Sequence, residues 1–254
     1  MIIRFLKKIL DGLGFVLLRK HEGFEVNWVP VVNELNRVNL LEFLIISELN
    51  IGWNGLIQIG ANDGVKSDPF RALILKYKLK AILIEPNPVV FKKLSNNYEN
   101  CSFASLENSA INVGEDNSNL IPFYELQSSN GIDAVDYTGF STLDEQVIKK
   151  AKSTNPGTII NKVLVNCLSV SDLVKKYEIE KISVLVIDAE GMDIELCKEF
   201  FKINLFPSLI YIEILHQKSN DIKLLIQLFL SHNYLIGGTV SDLIAYRNVG
   251  VLKN

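Results

Sequence analysis

The stretch GLIQIGANDGVKSD, from Gly55 to Asp68, decides the fold, because it joins a short apolar run to a polar loop bracketed by glycines. The run LIQI is short and ends at Gly60, which is typical of a buried parallel strand. Asp68 followed by Pro69 predicts a helix N-cap with proline at the first helical position. Such a loop places backbone N–H groups at the carboxyl edge of a sheet, where Gly60 would let a ligand approach the main chain and Gly64 would permit the turn into the helix.

The same alternation continues along the chain. The apolar run Lys80–Glu85 predicts a second strand, and Pro88 opens a helix through about Tyr98. Strand, helix, strand and helix at this spacing indicate right-handed βαβ units and a parallel sheet. Further apolar runs predict strands at Asn108–Gly114, Leu120–Leu126, Lys162–Leu168, Ile182–Asp188 and Ser208–Ile214, with a terminal hairpin over Asn233–Val249. Helical spacing is present at Ser169–Tyr177, Gly191–Ile203 and Asp221–His232. We therefore expect an α/β domain over residues 51–254, with a mostly parallel sheet and helices on both faces.

Composition excludes several classes of protein. The 254 residues carry a net charge of -3 and a pI near 5.7, which gives no general attraction to nucleic acid. The three cysteines, Cys101, Cys167 and Cys197, are scattered, so neither a disulfide framework nor a thiolate zinc site is expected, and a reducing cytoplasm fits. No apolar run reaches the roughly 18 to 20 residues that cross a bilayer.

Two segments lie outside the regular pattern. Residues 1–50 predict an N-terminal helical extension, and its first twenty residues mix Ile, Leu and Phe with Lys and Arg. That part could pack on its own domain, pack on a second subunit in a homodimer, or lie on the inner face of a membrane. The second segment, Gln127–Lys162, is polar and predicts a loop insertion with a short helix near Asp144–Ala151. A loop of that length usually covers a substrate or is disordered.

The glycine loop and Glu85 together indicate a cofactor that carries a nucleoside. Glu85 ends the next strand, where an acid can accept hydrogen bonds from both hydroxyls of a ribose. The loop reads G-A-N-D-G and lacks the dinucleotide pattern G-x-G-x-x-G. Asp63 would repel a pyrophosphate but suits a cationic methionyl group, which favours S-adenosylmethionine. An NAD(P)-dependent oxidoreductase and a non-catalytic adaptor with a similar fold remain the alternatives.

A second group of polar residues follows two later strands. Asp188 and Glu190 lie in VLVIDAEGMD, and Glu213 and His216 lie in YIEILHQ. Because parallel strands end at one edge of the sheet, these four residues should meet there as acid, base or substrate-binding groups. The alternative is a purely structural role, in which the acids cap helices or pair with lysines. No metal is expected, and Mg²⁺ held by Asp188, Glu190 and Glu213 is a lesser alternative.

Taken in order, these motifs resemble the FkbM family of S-adenosylmethionine-dependent methyltransferases. The matching texts are IQIGANDG, IEPNP (Ile84–Pro88), NSAI, GFSTL (Gly139–Leu143), VIDAEGMD and YIEI. The resemblance implies the class I Rossmann-like methyltransferase fold, with a seven-stranded sheet that ends in an antiparallel C-terminal hairpin. It also implies O-methylation of a sugar, glycan or natural-product acceptor.

The resemblance also implies roles for individual residues. The glycine loop would hold the methionyl part of the cofactor, Glu85 the ribose, and Asn108–Ala110 the adenine. The implied cofactor-binding residues are Gln58, Gly60, Ala61, Asn62, Asp63, Gly64, Glu85, Pro86, Asn87, Asn108, Ser109, Ala110 and Asp188. Many relatives carry aspartate where this chain has Gln58, so the methionyl ammonium would rely on Asp63. His216 or Glu190 would remove the proton of the acceptor hydroxyl.

Overall fold

The computed structural model describes residues 15–20, 23–28, 40–66, 68–114, 119–129, 141–215 and 217–247. Within these ranges the helices are α1 (Leu40–Ile51), α2 (Arg71–Tyr77), α3 (Pro88–Asn97), α4 (Glu145–Thr154), α5 (Val170–Lys176), α6 (Asp193–Lys202) and α7 (Ser219–Ser231). The strands are β1 (Phe15–Lys20), β2 (Gly23–Trp28), β3 (Leu56–Ile59), β4 (Ala81–Ile84), β5 (Ala104–Glu107), β6 (Ala110–Asn112), β7 (Leu120–Ser128), β8 (Ser141–Thr142), β9 (Thr158–Ser169), β10 (Val184–Ile187), β11 (Leu209–Glu213), β12 (Leu235–Gly238) and β13 (Asp242–Tyr246).

The central sheet has seven strands in the order β12-β13-β11-β10-β3-β4-β5. The five strands from β11 to β5 are parallel, whereas β13 is antiparallel to both β11 and β12. The predicted seven strands and antiparallel terminal hairpin are therefore present, and the sheet as a whole is mixed. Its parallel strands are four or five residues long and almost wholly apolar. The sheet thus brings the carboxyl ends of β3, β4, β10 and β11 to one edge.

Helices cover both faces of this sheet, as the sequence predicted. Side chains alternate along each strand, so Ile57 and Ile59 pack on one face and Leu56 on the other. The first face is buried by α5, α6 and α7, with Phe200 and Phe229 fully enclosed. The second is buried by α1, α2 and α3. Two apolar layers therefore hold the sheet edge that carries the functional residues.

A second sheet of four strands, in the order β6-β9-β7-β8, was not expected from the sequence. In it β7 pairs antiparallel with β9 over nine residue pairs, from Leu120–Asn166 to Ser128–Thr158. The loop predicted over Gln127–Lys162 is therefore wrong where the described residues form the end of β7, β8 and the start of β9, whereas the short helix predicted near Asp144–Ala151 is present as α4. Only one side of these strands is buried, so their polar residues are those of a half-exposed sheet. Residues 130–140 lie outside the described ranges.

The N-terminal extension is also not simply helical. β1 and β2 form an antiparallel hairpin with Phe15 opposite Trp28, so the helix predicted for this part is wrong. Two residues separate the strands, the commonest hairpin length, and GFEVNW alternates apolar with polar residues. Residues 1–14 lie outside the described ranges, and α1 is the helical part that the sequence predicted. No described helix combines the length and apolar character needed to cross a bilayer.

Candidate functional site

A cleft opens at the carboxyl edge of β3, β4 and β10, between the central sheet and the four-stranded sheet. It encloses about 1300 Å³ of empty space, including the solvent at its mouth. The predicted site residues that line it are Gln58, Gly60, Ala61, Asn62, Glu85, Pro86, Ser109, Ala110, Asp188 and Glu190. Asp63, Gly64, Asn87, Asn108 and Glu213 do not reach its surface, and His216 lies outside the described residues. The structure thus brings most of the predicted residues to one cavity.

Gly60 is required by the protein itself rather than by a ligand. A Cβ atom at Gly60 would lie 1.8 Å from the carbonyl oxygen of Asp188, and the φ of Gly60 is 82°. The amides of Gly60 and Ala61 both donate to the carbonyl of Ile84, at 3.0 and 2.9 Å. The small residue therefore allows the ends of β3 and β10 to meet. Glycine is required at position 64 for a similar reason, since a Cβ there would lie 2.6 Å from the side chain of Leu94.

Glu85 fastens the glycine loop to the turn before α3. Its Oε2 accepts a hydrogen bond from the amide of Asn62 at 3.0 Å, and its Oε1 accepts one from the amide of Asn87 at 2.8 Å. Burial raises the pKa of this carboxyl group to about 7. Because a carboxylate oxygen has two lone pairs, each oxygen can still accept a further bond from a ligand in the cleft. Glu85 therefore both shapes the cleft and can bind within it.

Three of the predicted residues support the cleft from behind. Asp63 accepts the amides of Val65 and Lys66 through Oδ1, at 2.9 and 2.8 Å, and so closes its own turn. Asn87 caps α3, with its Oδ1 2.9 Å from the amide of Val89. Asn108 donates from Nδ2 to the carbonyl of Glu85 at 2.8 Å. These contacts within the protein account for the residue types at all three positions. Asp63 was predicted to face the ligand, but it does not line the cleft.

Asp68 does cap a helix, although α2 begins at Arg71 and not at Pro69. Its Oδ1 accepts the amides of Phe70 and Arg71, at 2.8 and 3.1 Å. Asp68 also lines the cleft, next to Gln58. Oε1 of Gln58 is shielded from solvent and has no hydrogen-bond donor among the described residues. The base of the cleft therefore offers an oxygen that a ligand could satisfy.

Asp188, Glu190 and Glu213 form an acidic triad, of which Asp188 and Glu190 line the other side of the cleft. Carboxylate oxygens from all three lie within 4.8 Å of one another, a spacing that could hold a metal ion. The parallel pairing of Ile187 with Ile212 places the next residues, Asp188 and Glu213, side by side. Oε2 of Glu213 is inaccessible to solvent and has no hydrogen-bond partner within the described part of the chain. The triad is thus a concentrated set of acceptor oxygens.

Burial and mutual repulsion make these acids easy to protonate. Asp188 faces the cleft, but the surrounding protein displaces enough water to raise its pKa to about 6, with help from the charges of Asp193 and Asp242. Burial and the neighbouring Asp188 raise the pKa of Glu190 to about 8. The same causes raise the pKa of Glu213 to about 9. The triad therefore holds protons near neutral pH and can exchange them with a ligand.

Two supporting residues were missed in the sequence. Asp193 is fully buried, and its carboxylate accepts the amides of Ala189 and Gly191 at 2.6 and 2.9 Å. Thr142 donates to the carbonyl of Glu190 at 2.6 Å, where Glu190 has a φ of 49°. Together they hold the turn that presents Glu190. The spacing D-A-E-G-M-D could have suggested Asp193, because an aspartate beside a glycine turn often accepts its amides.

The triad should make the free energy of unfolding depend on pH. The pKa of Glu213 is about 9 in the folded protein and about 4.3 in an unfolded chain, so folding takes up a proton between these values. This contribution is complete below about pH 4 and is lost as the pH rises through about 9. We expect the melting temperature to fall between about pH 6 and pH 9, and the fall to be smaller in Glu213→Gln.

The matched control is Glu195→Gln, which removes an exposed glutamate that pairs with Lys198. Calorimetry of the three proteins across this pH range is the measurement. The control should keep the full pH dependence of the parent. Equal slopes for the parent and Glu213→Gln would show that Glu213 does not carry a raised pKa.

The fold and the cleft define an α/β protein whose ligand site lies where parallel strands end beside a glycine loop. The family comparison then identifies it. Residues 58–236 match the methyltransferase FkbM domain, which is more than half of the chain. The chain belongs to the FkbM methyltransferase family, so the resemblance found in its motifs is confirmed.

Two solved structures are similar in fold at low sequence identity. A methyltransferase FkbM from Methylobacillus flagellatus KT is 17% identical, with a TM-score of 0.44, over 76% of this chain and 44% of that chain. The chain therefore spans less than half of that protein's length. A precorrin-6y C5,15-methyltransferase from Geobacter metallireducens GS-15 is 10% identical, with a TM-score of 0.43, over 85% of this chain and 92% of that chain. A search of curated proteins finds no match.

Proposed function

We propose that the protein is an S-adenosylmethionine-dependent O-methyltransferase of the class I Rossmann-like fold. Its acceptor is a hydroxyl group of a sugar, a glycan or a natural product. The observation that carries the proposal is that Asp188 and Glu190 of the acidic triad line one cleft with the glycine loop, in a chain of a methyltransferase family.

The charges of the cleft fit this cofactor better than NAD(P). Among the described residues, five acids line the cleft against one lysine, Lys66, so the cleft suits a cation and disfavours the phosphates of a dinucleotide. The acids are Asp68, Glu85, Asp188, Glu190 and Asp242. The unpartnered Oε1 of Gln58 can accept a hydrogen bond from an ammonium group. Gln58 and Asp68 thus replace Asp63 as the proposed site of the methionyl ammonium.

The other cofactor contacts follow from the lining of the cleft. Ala61 and Asn62 would lie along the methionyl chain, and Glu85 would accept the ribose hydroxyls. Ser109 and Ala110 would lie beside the adenine, on the wall that β6 forms. When bound, the cofactor would supply a methyl group on a sulfonium, which passes to an oxygen nucleophile as the carbon–sulfur bond breaks and the thioether S-adenosylhomocysteine leaves.

The residues of the chain supply orientation and proton transfer. The one O–H of the reacting hydroxyl would donate to Glu190, and Asp188 beside it can accept a hydrogen bond from another polar group of the acceptor and so orient it. Glu190 accepts the hydroxyl proton as the new carbon–oxygen bond forms. Only the deprotonated form of Glu190 can accept the proton, and its pKa of about 8 makes that form a stronger base than an ordinary carboxylate. Asp193 and Thr142 keep the turn that carries Glu190 in place.

A chelator distinguishes proton transfer from metal binding at the triad. A metal ion at the triad would need all three carboxylates deprotonated, whereas proton transfer needs only Glu190 in that form. We expect methyl transfer to continue unchanged after dialysis against EDTA. Loss of activity that Mg²⁺ restores would assign the triad to a metal instead.

Methyl transfer itself can be tested before the acceptor is identified. Polar and lipid extracts of cells are incubated with the protein and S-adenosylmethionine that carries a deuterated methyl group. We expect mass spectrometry to find the label as a methyl ether, and to find none with the Glu190→Gln protein. Label on nitrogen or carbon would contradict the proposal.

A further inference from the structure

A smaller cavity adjoins the cleft on the far side of Glu190. One wall is α4, through Val147, Ile148 and Ala151, and the other is formed by Ser141, Thr142 and Glu190. Ser141 and Glu190 line both spaces, so they form the boundary between the cleft and this α4 cavity. A group in the α4 cavity would therefore lie directly beside the proposed site of proton transfer.

The surrounding structure holds α4 against this boundary. Asp144 caps the helix by accepting the amide of Gln146 at 2.7 Å, and Ile148 is 1% exposed. Gly191 follows Glu190, and a Cβ there would lie 3.0 Å from Cγ2 of Val147. The absence of a side chain at this position lets α4 approach the turn closely. The cavity is therefore built from fixed parts of the fold.

The walls of the α4 cavity are largely apolar. Val147, Ile148 and Ala151 contribute only hydrocarbon, while Lys150 and Thr154 belong to the exposed side of α4. A sugar hydroxyl placed against these walls would lose its hydrogen bonds to water without replacement. An alkyl or acyl group would instead lose only its exposure to water. The cavity thus discriminates between the two on physical grounds.

We propose that the α4 cavity binds an apolar substituent of the methyl acceptor, next to the hydroxyl group that is methylated. The inference rests on the proposed function and narrows its substrate class. The acceptor is then a hydroxyl compound with an alkyl or acyl group near the reacting oxygen, such as a deoxygenated or acylated sugar or a hydroxylated polyketide. A fully hydroxylated sugar is a poorer acceptor.

Binding in the cavity can be measured directly with hexanol, a simple probe with one hydroxyl and an alkyl chain. The matched polar probe is hexanetriol, which has the same number of carbons. In protein with labelled methyl groups, hexanol should shift the NMR signals of Val147, Ile148 and Ala151 to saturation, and hexanetriol should not. Equal responses to both probes, or none at these methyl groups, would overturn the proposal.

A variant whose side chain fills the α4 cavity provides a second test of the proposal. Ala151→Leu adds hydrocarbon to the α4 wall and should weaken hexanol binding roughly tenfold or more, since about one methylene of lost pocket is worth that much. Lys152→Leu adds the same side chain at an exposed position of α4 that does not line the cavity, and should bind hexanol as the parent does. If Ala151→Leu does not fold, Thr154→Leu at the cavity's outer side replaces it. Unchanged binding in a folded filling variant would overturn the proposal.

Calorimetric titration with S-adenosylhomocysteine separates this inference from the proposed function. All four proteins should bind it equally, because none of these substitutions touches the lining of the cleft. If the filling variant loses hexanol binding but keeps S-adenosylhomocysteine binding, the substitution has changed the α4 cavity and not the cofactor site, as we propose. If the parent protein binds hexanol but not S-adenosylhomocysteine, the proposed cofactor is wrong, while the α4 cavity is still shown to bind an apolar group.

Discussion

Gly60→Ala is expected to destabilise the protein by about 3 kcal/mol or more, because the new methyl group would collide with the main chain. Its Cβ would lie 1.8 Å from the carbonyl oxygen of Asp188, so β3 and β10 would have to move apart at their ends. The melting temperature should fall by roughly 6 to 12 °C in a domain of this size. Since the same movement displaces Asp188, binding of S-adenosylhomocysteine should be lost as well.

Gly157→Ala is the matched control for this substitution. Gly157 has a φ of 91°, close to that of Gly60, but a Cβ there would meet no atom within 4 Å. The control therefore carries the backbone strain alone, about 1 to 2 kcal/mol. Thermal unfolding of both variants isolates the collision. Equal melting temperatures for the two variants would show that the close approach of β3 and β10 does not limit residue 60.

Glu190→Gln is expected to lower kcat for methyl transfer by roughly 10²- to 10⁴-fold, the usual contribution of a general base. Glutamine keeps the size of the side chain but cannot accept the hydroxyl proton. The carbonyl of residue 190 would still accept the hydrogen bond from Thr142, so the turn should remain in place. The dissociation constant for S-adenosylhomocysteine should stay close to that of the parent, because the substitution removes chemistry rather than cofactor contacts.

The control for this prediction is Glu195→Gln, at an exposed position of α6. It should retain the kcat of the parent on the acceptor that the labelling experiment identifies. The pH dependence gives a second readout, since the rise of kcat with pH should follow the pKa of Glu190, near 8. Full activity in Glu190→Gln would show that another group removes the proton.

The local patterns of the chain predicted the central sheet well. Apolar runs of four or five residues that end in glycine or acid mark β3, β4, β10 and β11, because strands buried on both faces carry little else. Proline and serine marked the starts of α3 and α5 for similar local reasons. The convergence of Asp188 and Glu213 followed from the parallel order of the strands.

The failures have a common physical cause, which is contact between distant segments. Strands were predicted for Leu120–Leu126 and Lys162–Leu168, but the end of β7 and the start of β9, which pair across some thirty intervening residues, were assigned to a loop. Gly60 lines the cleft as predicted, but its second role beside the carbonyl of Asp188 was missed because Asp188 is far away in the chain. Asp63 was assigned to the methionyl ammonium because a sequence does not show that its own turn uses its carboxylate.

The choice of ligand is the sharpest test of the proposed function. Purified protein is unfolded by heat with S-adenosylmethionine, S-adenosylhomocysteine, NAD or NADP, each at saturating concentration. A ligand at a hundred times its dissociation constant adds about 2.7 kcal/mol, which corresponds to a rise of roughly 5 to 10 °C. We expect this rise with the two adenosyl ligands alone. A rise with NAD or NADP, and none with the adenosyl ligands, would contradict the proposed function.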